Sequence, residues 1–404
     1  MVVRRIAIIG AGMNGLCVAR QFLLDHPGLD VTVFEKEAEV ARHQSSHNSG
    51  VVHAGLYYTP SGLKARFCIR GAQLLRDYCG ARGLPYDECG KLVVALKAEE
   101  LPRLEAIHRN AAANGVADIR LIGPEEMREI EPNCVGIKAL HSARTAIVSY
   151  GEIARSIAAE IQESGAKLRL GHAVVRLNER SEGVYVESDS GPLDDLPFDL
   201  VVACAGLQSD RLARTSSDEA DPRIVPFFGQ YYLVDPKLRD HVKGLIYPVP
   251  DPRYPFLGVH FTKRVDGALM IGPNAFISLG RENYSGRRLN LGDMADFLRY
   301  PGFWKFAARN GSAALRELKT VLSKTSFARQ AAQYVPSLRD AKLRAGVRGI
   351  RAQAMQKSGD LVDDFVIHRK GRVVHIRNAP SPGATSSMAM AEHIVRDVLA
   401  ADKL

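Results

Sequence analysis

Arg4-Arg5-Ile6-Ala7-Ile8-Ile9-Gly10-Ala11-Gly12-Met13-Asn14-Gly15 is an apolar, β-branched run that breaks into a GxGxxG string. A helical pattern follows from Asn14 to about Asp25, with Leu16, Ala19, Phe22 and Leu23 on one face, until His26-Pro27-Gly28 stops it. A second apolar run, Asp30–Lys36, completes a β-α-β unit, which implies parallel strands and a right-handed crossover. In such a unit Gly10 allows the tight turn, Gly12 lets the backbone approach a pyrophosphate, and Gly15 lets helix and strand pack closely. The helix start, with Met13 and Asn14, offers oriented N–H groups to phosphates. Glu35 stands twenty residues past Gly15, at the end of the second strand, where its carboxylate accepts from a ribose diol and disfavours a 2′-phosphate. A dinucleotide site is expected. These residues alone do not separate FAD from NAD.

Working outward, a polar loop covers about Ala41 to Ser49 and a helix is expected over Ser61–Arg82. Residues 90–98 read as a strand, 99–114 as a helix, and Ser149–Ser164 as a helix with Ile153, Ile157 and Ile161 at helical spacing. Short strands are expected at Lys167–Leu170, Ala173–Leu177 and Val184–Glu187, and Phe198–Gly206 reads as a buried strand ending in a small-residue turn. From about Thr215 to Arg339 the character changes. Strand-like runs at Gln230–Val234, Phe256–Phe261 and Ala268–Ile271 precede a helical stretch from about Leu291 to Ala332. The earlier style returns with a strand at Val373–Ile376, a loop at Asn378–Ser386 and a helix at Ser387–Leu399. The expected fold is α/β: a discontinuous Rossmann-like dinucleotide-binding domain with an inserted α+β domain on a mixed sheet. The expected segments are 1–85, 145–214 and 340–404 for the first domain, and 86–144 and 215–339 for the second, including a helical basic lobe at about 281–335.

Composition narrows the class. With 404 residues the chain is long enough for two domains, and 46% hydrophobic and 25% charged residues suit an ordinary globular protein. A strand begins almost at once, so no signal peptide is expected, and no apolar run reaches the roughly 20 residues of a membrane span. Cys17, Cys68, Cys79, Cys89, Cys134 and Cys204 are scattered without CxxC or zinc spacing, so reduced thiols, no metal and a cytoplasmic setting are expected. The net charge is +9, and Arg281–Arg351 alone holds 15 Lys and Arg against 5 Asp and Glu. That segment is either a solvated basic face or a dock for an anionic membrane, with Phe297, Phe303, Trp304 and Phe306 among Arg299, Lys305 and Arg309. A nucleic-acid partner is not expected, because no helix-turn-helix, zinc finger or aromatic stacking motif accompanies the charge.

The run Ser46-His47-Asn48-Ser49-Gly50-Val51-Val52-His53-Ala54-Gly55-Leu56-Tyr57-Tyr58 resembles the flavin-facing segment of the L-2-hydroxyglutarate oxidase/dehydrogenase family, within the group that holds glycine oxidase and glycerol-3-phosphate dehydrogenase. Further matches are Cys89-Gly90-Lys91-Leu92, Ile147-Val148-Ser149-Tyr150, Cys204-Ala205-Gly206, Tyr247 to Pro252, Phe256 to His260 and Ile271 to Ala275. Near the end stand Arg351-Ala352-Gln353-Ala354, Asp363-Asp364-Phe365 and Asn378 to Pro382. The resemblance spans nearly the whole chain and implies FAD and oxidation of L-2-hydroxyglutarate, a small dicarboxylic hydroxy acid, to 2-oxoglutarate; with no histidine or cysteine clearly placed for covalent attachment, the FAD is expected to be non-covalent. The electron acceptor it implies is oxygen or a membrane quinone, the latter with peripheral contact at the membrane's inner face. One departure bears on specificity: the family usually reads Phe-Arg-Gly-Glu-Tyr where this chain has Phe227-Phe228-Gly229-Gln230-Tyr231. Oxidation of another small 2-hydroxy or amino acid stays open on that ground.

Oxidising a 2-hydroxy acid requires a cation for the carboxylate, a base for the hydroxyl proton, and a Cα–H aimed at flavin N5. The planar fork of Arg351 suits bidentate carboxylate binding, and the resemblance places it by the flavin; otherwise it is one more surface arginine. His53 and His260 are the base candidates, because imidazole titrates near neutral pH, and either could instead be a core histidine. Tyr57, Lys64 and Gln353 are candidate substrate contacts. Ser46, Asn48 and Ser49, with Lys36, Val174, Ala205 and Gly206, are candidate FAD contacts. Gly383, Ala384 and Thr385 precede the last helix, whose N-terminus would stabilise negative charge on a reduced flavin.

Overall fold

Six strands form the sheet that carries the glycine string, in the order Val366–Lys370, Val373–Asn378, Leu200–Ala203, Arg5–Ile9, Asp30–Phe34, Lys167–Arg169. All neighbours are parallel except the first pair, which is an antiparallel hairpin. The computed structural model describes residues 3–216, 221–251, 258–286, 289–311 and 324–400. The central strands are apolar on both faces because both are covered. Ile6, Ile8, Val31 and Val33 pack under the helices Met13–Asp25, Tyr150–Glu163 and Gly383–His393. Ala7, Ile9 and Phe34 pack against Val184, Val186 and Leu212 on the other side. The last helix also lies along Leu63–Arg82. They come close enough that a Cβ on Gly71 would stand 2.1 Å from the Thr385 carbonyl oxygen.

The second sheet is mixed and has nine strands. Its order is Phe276–Ile277, Arg223–Val234, Leu269–Gly272, His260–Lys263, Leu245–Pro248, Lys91–Ala95, Lys138–Ser142, Ile119–Ile122. Leu245–Pro248 runs parallel to Lys91–Ala95; the other pairings are antiparallel. Leu343–Met355, counted above with the dinucleotide-binding segments, pairs with Arg223–Val234 along its length, so that Arg351 stands opposite Phe227. Its three cations, Arg344, Arg348 and Arg351, with Lys342 just before it, hide the alternation that marks a strand.

Other elements shift from their expected bounds. The strand expected at Ala173–Leu177 forms at Arg176–Glu179, and the one at Phe256–Phe261 begins at His260, with 252–257 outside the described residues. The last helix starts at Gly383, four residues early, because a Gly-Ala-Thr-Ser run reads as loop yet tolerates a helical turn. The long helical stretch is broken into Leu291–Leu298, Pro301–Arg309 and Lys324–Ala331, with Pro301 opening the second and 312–323 outside the described residues. Phe297, Phe303 and Phe306 point inward and form a core with Val225, Phe227 and Met355; Trp304 alone of the four aromatics is exposed, at 57%. Arg281 is not part of a basic surface: it is 2% exposed and paired with Asp210 and Asp296.

Candidate functional site

A cavity of about 490 Å³ runs between the two sheets, from the glycine string to Arg351. Gly10 turns the chain at φ +102°, and a Cβ there would lie 2.6 Å from the Cys204 carbonyl oxygen. A Cβ on Gly15 would lie 1.9 Å from the Gly10 carbonyl oxygen, so Gly15 is the packing residue and does not itself line the cavity. Gly10, Gly12, Met13 and Asn14 do line it. The Asn14 Oδ1 is buried without a hydrogen-bond partner, an acceptor waiting for a donor. The Ser45 hydroxyl accepts from Met13 N–H at 2.9 Å. Glu35 lines the cavity too, its carboxylate accepting from Ala11 N–H at 2.8 Å and Glu37 N–H at 3.0 Å. A bare backbone cradle, an orphaned polar side chain and a carboxylate at the strand end fit a dinucleotide.

The remaining expected cofactor contacts divide. Lys36, Asn48, Ser49, Val174, Ala205, Gly206, Gly383, Ala384 and Thr385 line the cavity. Ser46 does not: its hydroxyl sits over Gly151, where a Cβ would stand 2.8 Å away. Asn48 folds back onto its own loop, donating to the Ser45 and Gln44 carbonyls. Lys36 bridges Glu37 at 2.9 Å and Glu282 at 2.6 Å. Those two carboxylates and His43 are close enough together to hold a cation, but the Lys36 ammonium already meets the charge. The helix at Gly383 has no side-chain cap, and its first three residues, Gly383, Ala384 and Thr385, line the cavity.

Of the candidate reacting residues, His53, Lys64, Arg351 and Gln353 line the cavity; His260 and Tyr57 do not. His53 leaves the short strand Val51–Val52, and its N–H donates to Thr385 Oγ1 at 3.2 Å. Its imidazole is held neutral, well below the usual histidine range, by loss of solvent and then by the charges of Lys91, His260 and Lys64. His260 is 5% exposed, bonded through Nδ1 to the Gly258 carbonyl at 2.9 Å, and stacked on Tyr247 at 3.9 Å. Burial pushes its pKa down to about 3, with Lys91 and Arg351 adding to the shift. Lys64 is paired with Asp363 at 2.6 Å, and the Gln353 amide donates to the Ala354 and Val362 carbonyls.

Phe228 and Gln230, where the chain departs from the family string, lie off the cavity. The Arg348 guanidinium covers the Phe228 ring at 3.8 Å, and Gln230 Nε2 donates to the Tyr231 and Gly346 carbonyls at the bulge. Sequence reasoning missed Lys91, which is 2% exposed, and Tyr231, which lines the cavity. The signal for Lys91 was a cation heading the wholly apolar run Leu92-Val93-Val94-Ala95.

The model of the family described as FAD dependent oxidoreductase matches residues 5–396. The mitochondrial L-2-hydroxyglutarate dehydrogenase of Caenorhabditis elegans is 41% identical over 99% of this chain and 94% of its own. The enzyme of that name from Homo sapiens is 40% identical over 97% of this chain and 88% of its own. Among solved structures, the FAD-bound L-alpha-glycerophosphate oxidase of Mycoplasma pneumoniae shares the fold, with TM-score 0.77 at 22% identity, over 98% of this chain and 94% of that one. The chain therefore belongs to the FAD-dependent oxidoreductases and, among them, to the family of the L-2-hydroxyglutarate dehydrogenases.

Proposed function

We propose that this protein oxidises L-2-hydroxyglutarate to 2-oxoglutarate. The observation that carries this reading is that Arg351 and His53 share one cavity with the dinucleotide cradle and the Gly383 helix start. FAD, when bound, supplies the acceptor for the Cα–H and its electron pair. Arg351 holds the substrate carboxylate and so orients Cα. His53, neutral in its desolvated setting, takes the hydroxyl proton at a ring nitrogen as the carbonyl forms. The N–H groups at Gly383, Ala384 and Thr385 stabilise negative charge gathering at that end of the cavity. The first sheet is read as the cofactor half and the second as the substrate half. Phe228 and Gln230, packed away from the cavity, support keeping the family's substrate over another small acid.

Oxygen or a membrane quinone is the proposed electron acceptor, with peripheral contact at an anionic membrane through Trp304, Lys305 and Arg309. Trp304 is 57% exposed and donates its indole N–H to the carbonyl of Leu298, itself an exposed residue, which favours that contact. The proposed setting is cytoplasmic. No helix among the described residues is long and apolar enough to cross a membrane.

Anaerobic mixing of the FAD-loaded protein with L-2-hydroxyglutarate tests the substrate. The visible flavin absorbance should bleach and 2-oxoglutarate should appear in equal amount. Bleaching by another hydroxy or amino acid, and none by L-2-hydroxyglutarate, would overturn the reading.

A further inference from the structure

Lys91 opens a strand, Lys91–Ala95, in which every residue is buried. Its ammonium lies 4.1 Å from the centre of the Tyr247 ring and 5.5 Å from that of Tyr57. A buried ammonium ordinarily has a carboxylate beside it, because desolvating the charge alone is costly. Here the groups that act on it are the thiols of Cys68 and Cys89, and among the described residues no carboxylate does. The Tyr57 hydroxyl, against whose ring it lies, is itself buried without a hydrogen-bond partner. The ammonium can only donate, and the phenol hydroxyl can donate as well as accept, so a single anionic acceptor would satisfy both groups at once.

The cluster adjoins the cavity wall. His53 lines the cavity and feels the charge of Lys91. His260 feels Lys91 and Arg351 together, and its ring is stacked on the Tyr247 ring that Lys91 covers. Two cations thus act on the same imidazole, one from the wall that carries Arg351 and one from the strand Lys91–Ala95.

We infer that Lys91, with the Tyr57 hydroxyl, receives the second carboxylate of a dicarboxylic substrate whose first carboxylate is held by Arg351. The inference rests on the proposed function for the identity of the reacting end. It adds the group that selects a dicarboxylate over a monocarboxylate of similar length. Methionine at 91 would fill the same volume and present no charge to the distal end.

The test uses glutarate, which has both carboxylates and no hydroxyl to oxidise, against butyrate, which lacks one carboxylate. Calorimetric titration of the FAD-loaded wild type should show a strong preference for glutarate. Lys91→Met should weaken glutarate binding by roughly 10²-fold, as loss of one partner of a buried charge pair does. Tyr57→Phe should weaken it by about tenfold, one hydrogen bond to a charged group. The ratio of kcat/KM for L-2-hydroxyglutarate over L-2-hydroxybutyrate should fall with the same order of variants. Undiminished glutarate preference in Lys91→Met overturns the inference; should that variant fail to hold FAD, an undiminished preference in Tyr57→Phe overturns it. Lys91-dependent glutarate binding without flavin reduction by L-2-hydroxyglutarate would remove the proposed substrate and leave the subsite. Reduction by L-2-hydroxyglutarate with glutarate bound equally by both proteins would do the reverse.

Discussion

The backbone N–H of His53 donates to Thr385 Oγ1 at 3.2 Å, and the Tyr150 hydroxyl meets the same oxygen at 2.8 Å. One hydroxyl therefore ties the base candidate to the first turn of the last helix, so that histidine and helix start move as a unit. His53→Ala should slow anaerobic flavin reduction by about 10²–10⁴-fold, with FAD still bound. Rapid mixing with substrate measures this. His260→Ala, which removes a ring that does not line the cavity, should cost less; the opposite ranking would make His260 the base.

Arg351→Lys keeps the charge and loses the fork. The expected loss in kcat/KM corresponds to about 2–4 kcal/mol of transition-state binding. Arg109→Lys, on the exposed side of the helix Leu101–Ala113, is the control and should be neutral. Equal kinetics in the two variants would take Arg351 out of the site.

The purified protein should be yellow and release FAD rather than FMN when denatured, since Glu35 and the glycine string suit a dinucleotide. Gly15→Ala should destabilise the fold by about 1–3 kcal/mol and lower FAD content, because its Cβ meets the Gly10 carbonyl. Chromatography of the released cofactor and a melting curve of the variant check both parts.

Stability should fall as pH drops below the ordinary histidine range. Burial pushes His260 down to about 3 and His375 down to about 4, and holds His53 well below its usual value. The unfolded chain protonates these rings near pH 6.5 and the folded protein does not, so the unfolded state binds more protons in between. Their contribution is complete above that pH and is lost toward the folded values. Urea midpoints between about pH 7 and 5.5 should decline, and less steeply in His375→Gln. A flat profile would contradict burial of neutral rings.

Co-sedimentation with anionic vesicles tests the membrane contact. Binding at low salt, lost at high salt and weakened by Trp304→Ser, is expected if Trp304 and its neighbouring cations meet the headgroups. No binding at low salt would leave oxygen or a soluble carrier as acceptor.

The dinucleotide half was legible because its logic is local: Ile6 to Gly15 and Glu35 state strand, turn, helix and acid within one short stretch. The strand Leu343–Met355 was not, since cations at Arg344, Arg348 and Arg351 broke the alternation and only its partner Arg223–Val234 makes it a strand. Lys91 escaped for the opposite reason. In a strand with one wet face a leading lysine is unremarkable, and burial of that whole strand depends on neighbours distant in sequence, Leu245–Pro248 and Lys138–Ser142. Phe297, Phe303 and Phe306 looked like an interface because a sequence shows aromatics beside cations without showing which way each turns.

The strand Val373–Asn378 sits beside Leu200–Ala203, which sits beside Arg5–Ile9. The helix Gly383–His393 then packs on Met13–Asp25 and Leu63–Arg82. A nascent chain emerging from the ribosome therefore carries its glycine turn long before it owns the strand and helix that finish the cavity. Such distant pairing is slow to form and leaves apolar strand edges open meanwhile. Flavin loading must wait until Val373–Asn378 and Gly383–His393 have been made, and a premature stop anywhere before Val373 should yield a protein that aggregates colourless rather than one that folds with reduced activity.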